Sequence, residues 1–111
     1  MIWVAESRGV LQGYLIVVLV MSIEHRGLMG EIDEFFVQPQ VRSRGVGARL
    51  LAAAEAALIR RGCVRLQLQV ATGNASAREF YLHRGYGARA GYQLLDKPLL
   101  NEPQPRNRPS R

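Results

Sequence analysis

A chain of 111 residues has room for one hydrophobic core and not for two. Its 48% hydrophobic and 22% charged content is that of a soluble globular protein. A single cysteine, Cys63, excludes an internal disulfide, and two histidines beside it leave too few ligands for a structural zinc, so no metal site is expected. The net charge of +6 comes from arginines and one lysine, and half of the excess lies from Lys97 onward. The modest remainder gives nucleic-acid binding little support, and attraction for a small polyanion accounts for the arginines as well.

In chain order, "IWVAES" (2–7) reads as a strand and Arg8-Gly9 as a turn. "VLQGYLIVVLVMSI" (10–23) is a long strand rich in β-branched residues, with Gly13 marking a bulge or a close approach. Its apolar run is about half of what a membrane-spanning helix needs, and it has neither basic leader nor cleavage site. No membrane contact is expected, and the compartment expected is the cytoplasm. "EHRGLMG" (24–30) makes a loop and "EIDEFFV" (31–37) a third strand, stopped by Pro39. Three strands in series predict an antiparallel meander.

The period then changes. Gly47, Leu50, Leu51, Ala54 and Leu58 fall on one helical face, and Gly62 closes that helix. "CVRLQLQV" (63–70) alternates as a strand, with Val64, Leu66, Leu68 and Val70 on one side. A second helix runs from Ala75 to His83, capped by Asn74 and ended by Gly85. "GYQLLD" (91–96) suggests a last strand. Residues 98–111 carry four prolines and no apolar period after Leu100, which predicts a disordered tail behind a domain of residues 1–97. The order β-β-β-α-β-α-β makes an α+β fold, a mixed and mostly antiparallel sheet with helices packed on it.

Between the third strand and the first helix stands "RSRGVGA" (42–48). Its glycines let a ligand approach the backbone, and the free N–H groups of a helix start favour an anion by ~0.3–1 kcal/mol. Arg42 and Arg44 add charge suited to a phosphate. The alternative is a glycine-tightened turn with solvated arginines. Neither the P-loop nor the dinucleotide fingerprint fits, because the lysine and third glycine those need are not there, and Leu50 occupies the latter's place.

Arg42-Ser43-Arg44-Gly45-Val46-Gly47 resembles the [QR]-x-x-G-x-[GA] signature of the GNAT superfamily of acyl-CoA-dependent N-acyltransferases. "NASAREFY" (74–81), "HRGY" (83–86) and "GYQLLDKPL" (91–99) resemble that family's later segments in order and spacing. The resemblance implies that Arg42, Arg44, Gly45, Val46, Gly47 and Ala48 hold the diphosphate of coenzyme A through backbone N–H groups. It also implies that Phe36 and Val37 pair with the pantetheine arm and that Asn74 contacts the cofactor. Tyr81 matches the acid that protonates the departing thiolate, a transfer that a thiol near pKa 8.5 and a phenol near 10 allow in a dry site. A core role is the alternative for Tyr81, as a helix cap is for Asn74.

Glu31 matches a base in some relatives. Asp33 and Glu34 are its neighbours, and strict alternation sets Glu31 and Asp33 on one face with Glu34 on the other. The implied activity is transfer of an acetyl group from acetyl-CoA directly to a primary amine on a small molecule or peptide. Cys63 begins a strand and is not placed as a nucleophile. Family members ordinarily carry a strand and two helices before the segment matched here by "IWVAES", so the fold is expected to be short at its N-terminus. An uncovered strand edge invites pairing, which predicts a homodimer. The rival reading is a non-catalytic or fragmentary CoA-binding module.

Overall fold

The computed structural model describes residues 1–100. It holds four strands, β1 (Ile2–Ser7), β2 (Val10–Ser22), β3 (Gly27–Val37) and β4 (Arg65–Gln67), and two α-helices, α1 (Val46–Arg60) and α2 (Ala75–Leu82). The sheet order is β1-β2-β3-β4, with the first three antiparallel and β4 parallel to β3. The meander is therefore present as expected. Arg8 and Gly9 both have positive φ, the two-residue turn whose twist matches the strands it joins.

One face of the sheet carries the core. Leu15 and Val17 of β2 and Phe35 and Val37 of β3 are buried against Val46, Leu50, Leu51, Ala54 and Leu58 of α1. Ala77, Phe80 and Tyr81 of α2 complete the cluster. Every residue expected on the apolar stripe of α1 is buried, each large one contributing about 1.5–3 kcal/mol on leaving water. The helix ends at Gly62, whose φ of 86° lets Gly62 N–H reach the Ile59 carbonyl and Cys63 N–H the Leu58 carbonyl. That pair of bonds satisfies carbonyls the helix leaves open.

Two irregularities shape the sheet. Ala5 pairs with Gly13 and Glu6 with Leu11, so Gln12 is the extra residue of a bulge. Beside it, a Cβ on Gly13 would lie 2.6 Å from the Phe36 carbonyl oxygen and 3.2 Å from the Val37 Cα, so the close approach expected of this glycine is present. Further on, Ile16 pairs with Glu34 but Val17 with Ile32, which leaves Asp33 as the extra residue in β3. Paired residues share a face, so Ile32 and Phe35 stand with Val17 and Leu15 on the helix side. Glu31 and Glu34, paired with Val18 and Ile16, therefore share the opposite face. Strict alternation separated those two glutamates; the bulge at Asp33 corrects it.

The expected strand over 63–70 shortens to three residues. β4 pairs with β3 only at Met29–Arg65, Gly30–Leu66 and Glu31–Gln67. The bulge follows at once, and a bulge bends and twists its strand, so the two chains separate beyond Gln67. Leu66, Leu68 and Val70 still pack on the core, whereas Val64 is exposed. The last expected strand, 91–96, is not formed. Tyr92, Leu94 and Leu95 are exposed, and a strand of that length gains stability only from a partner edge, which three-residue β4 hardly offers. Arg89 instead lies over the Tyr92 ring at 4.2 Å and reaches Glu24 at 3.5 Å. The tail expected from residue 98 falls mostly outside the described residues.

Candidate active site

Where β3 and the chain after β4 part, a cleft of about 400 Å³ opens through the sheet. Glu31 to Phe35 form one wall and Leu68 to Ala71 the other, with Asn74, Ala77 and Tyr81 of the α2 region at the end. Residues of both sheet faces reach it: Val18, Glu31 and Glu34 from the bare side, Phe35 and Tyr81 from the helix side. Past Glu31 no strand lies along this edge of β3 among the described residues, so its main chain is open to a ligand that pairs like a strand.

A second cavity of about 300 Å³ follows along the same two elements. It is lined by Val37, Arg42, Ser43, Gly45, Gly47, Ala48, Phe80 and Arg84. The loop before α1 is a 3-10 turn, Pro39–Arg44, which ends at Gly45 with φ of 78°. That left-handed conformation costs an L-residue roughly 1–2 kcal/mol, and it turns the chain into α1 without a side-chain cap. The first N–H groups of α1 are therefore not bonded by a capping side chain. Arg42 lies back along the turn, its Nε–H donating to the Val37 carbonyl at 2.9 Å.

Not all residues of the loop contribute alike. Gly45, Gly47 and Ala48 line the cavity with Arg42, but Arg44 does not; its carbonyl accepts from Arg49 at 3.2 Å and its side chain is exposed. Val46 is buried in the core, so only its backbone is available to a ligand. Val37 lines the second cavity while Phe36 lines neither and packs, ring tilted at 37°, against Tyr14 with centroids 5.6 Å apart.

Asn74 caps α2, accepting from Ala77 N–H at 3.1 Å, and also borders the cleft. Tyr81 is buried between the rings of Phe35, Phe80 and Tyr86, at centroid distances of 6.5, 5.2 and 5.5 Å. Tyr86 in turn donates to Glu55 of α1 at 2.6 Å. Burial, then the bond to Glu55 and its charge, push the Tyr86 phenol well above the ordinary tyrosine value, which suits a permanent donor that braces Tyr81 from α1.

Two residues here were not singled out from the sequence. Arg84 borders the arginine-lined cavity from the end of α2, and Tyr14 donates to the Glu34 carboxylate on the bare face. "HRGY" contains Arg84, but a helix-end arginine carries no sign of the loop it faces. Tyr14 meets Glu34 only through the shifted register.

A split mixed sheet beside a glycine- and arginine-lined cavity defines the class. The chain belongs to the Acetyltransferase (GNAT) family, whose family model matches residues 1–86. It is 30% identical over 82 residues to an aminoalkylphosphonate N-acetyltransferase of Salmonella typhimurium, covering 74% of this chain and 53% of that relative. An integron cassette protein from the mobile metagenome of Cole Harbour Salt Marsh superposes with a TM-score of 0.76 at 28% identity, over 91% of this chain and 60% of that one. An aminoglycoside N-acetyltransferase crystallised in complex with CoA shares the fold with a TM-score of 0.75 at 19% identity, over 87% and 75%. The chain spans about half the length of the curated relatives it matches in sequence.

Proposed function

We propose that the chain is an N-acetyltransferase that moves an acetyl group from acetyl-CoA to a primary amine by direct transfer. The observation that carries this reading is the pair of cavities in tandem along β3 and α2. One is lined by arginines and glycines and suits a diphosphate; the other is a slot with an open strand edge and suits a pantetheine arm. Gly45, Gly47 and Ala48, with the backbone of Val46 and the charge of Arg42, hold the diphosphate, and Arg44 adds only a more distant charge from outside the cavity. The backbone of Phe36 and Val37 guides the arm and polarises the thioester carbonyl, and Asn74 adds a contact.

In this reading the amine nitrogen attacks the thioester carbon, the C–S bond breaks, and Tyr81 gives its proton to the leaving sulfur. Glu31, on the bare side of the cleft, takes the proton lost by the amine, with Asp33 and Glu34 as neighbouring acceptors. No metal enters the scheme. The acceptor is an amine on a small molecule or peptide, not a nucleic acid, in the cytoplasm. A homodimer belongs to the same reading, supported by Ile2, Val4, Val18 and Val20, which stand exposed on the sheet face away from the helices.

The test has two stages: calorimetry with acetyl-CoA, then thiol release with a panel of primary amines. Binding with thiol release on at least one amine is expected. Binding without release leaves a CoA-binding module, and no binding overturns the reading. Tyr81→Phe is expected to lower kcat by about 10²–10⁴-fold with little change in acetyl-CoA affinity, measured by steady-state kinetics beside titration.

A further inference from the structure

Two arginines from separate elements face the second cavity. Arg42 comes from the turn before α1, Arg84 from the end of α2. Each is tethered by one nitrogen to a backbone carbonyl: Arg42 Nε–H to Val37 at 2.9 Å, one terminal N–H of Arg84 to Phe80 at 2.9 Å. The Arg84 guanidinium also lies over the Phe80 ring, 4.0 Å from its centroid. Phe80 is itself buried, its ring edge 3.6 Å from where a Cβ on Gly47 would stand. Neither arginine is ion-paired with a carboxylate among the described residues, and no acidic side chain lines the cavity.

A guanidinium has five N–H donors and one tether leaves most of them free. Two positive groups held toward one cavity repel each other until an anion stands between them, and the anion that relieves both carries more than one charge. The planar fork of arginine matches phosphate oxygens in pairs. Stacking and tethering fix the Arg84 fork in advance, so little of its freedom remains to be lost on binding.

We propose that Arg84 is the second arm of a diphosphate clamp, closing with Arg42 on the diphosphate of the CoA donor. The identity of the donor rests on the proposed function; the clamp rests on the arginine pair. Because Arg84 is held by Phe80, which adjoins Tyr81, the clamp also ties the diphosphate to the helix that carries the cleft tyrosine.

Calorimetry of the full chain and Arg84→Met with CoA, 3′-dephospho-CoA and inorganic diphosphate tests the clamp. The variant is expected to bind each about 10–100-fold more weakly, with a gap that narrows as salt rises. Arg84→Lys is expected to recover part of the loss. Should the methionine variant unfold, Arg84→Gln, which keeps a donor for the Phe80 carbonyl, carries the same expectation. Equal CoA affinity overturns the clamp, as does a loss confined to CoA, which would make the 3′-phosphate the partner. A loss indifferent to salt also overturns it, as the mark of packing alone. Diphosphate binding by the full chain without CoA binding upholds the clamp and overturns the proposed donor. Binding of neither overturns both.

Discussion

A methyl group fits at Gly47. A Cβ there would meet Phe80 and Val37 at 3.6 Å and Phe35 at 3.7 Å, ordinary contact distances, and alanine favours helix over glycine by about 1 kcal/mol. Packing therefore does not demand this glycine, although the cavity beside it does if it holds a ligand close to the backbone. Gly47→Ala should raise stability by up to ~1 kcal/mol and weaken acetyl-CoA binding, read by thermal unfolding beside calorimetry. An unchanged affinity would separate the glycine from cofactor binding. Gly45 is different, since its φ of 78° would strain any replacement before a ligand arrives.

Tyr86 shows what a brace implies for pH. Its phenol is held protonated by burial first, then by the bond to Glu55 and that group's charge. The unfolded chain releases this proton near the ordinary tyrosine pKa of about 10, the folded chain only at higher pH. The bond's contribution is therefore whole below about pH 10 and is lost as pH rises beyond it. Denaturant titrations from pH 8 to 11 should show stability falling above about pH 10, and Tyr86→Phe should flatten that fall. An identical slope in both proteins would show that Tyr86 is not the source.

At the scale of elements, the bulge in β3 does two things at once. It carries Phe35 and Val37 to the helix side for burial, and it brings Glu31 and Glu34 together on the other. The parting of β3 from β4 begins at the same place, so core packing and the cleft share one cause. Gly13 secures the strand that carries it: at 2.6 Å from the Phe36 carbonyl, a Cβ could be admitted only by moving β2 from β3. Gly13→Ala should cost about 1–3 kcal/mol in chemical denaturation and weaken acetyl-CoA binding beyond what Tyr81→Phe does. A stability within about 0.5 kcal/mol of the parent would mean that the strands yield there without strain. In α2 the last turn closes by bonds from Gly85 to the Leu82 carbonyl and from Tyr86 to the Tyr81 carbonyl. The Tyr81–Tyr86 ring contact seals that turn.

At the scale of the molecule, the two helices pack on one face of the sheet, and among the described residues no helix lies on the other. Ile2, Val4, Val18 and Val20 are between 42% and 63% exposed there, and apolar side chains gathered on one face are the kind of surface a second copy can cover. Sedimentation at micromolar concentration should give a species larger than the monomer, and Val4→Glu with Val18→Lys should shift it toward the monomer. A monomeric parent chain would count directly against the dimer.

Much of this was written locally. The stripe Gly47, Leu50, Leu51, Ala54, Leu58 declares its buried face because a helix repeats within four residues. Asn74 as a cap, Gly62 and Gly85 as helix ends, and Arg8-Gly9 as a turn follow from the conformations those residue types favour. The fold class and the glycine–arginine loop were legible for the same reason. Tertiary structure alone decided the side of the sheet on which Glu34 stands, the three-residue length of β4 and the meeting of Arg42 with Arg84. Each depends on the register or approach of segments distant in the chain, and no local period records which residue a neighbouring strand or helix will present.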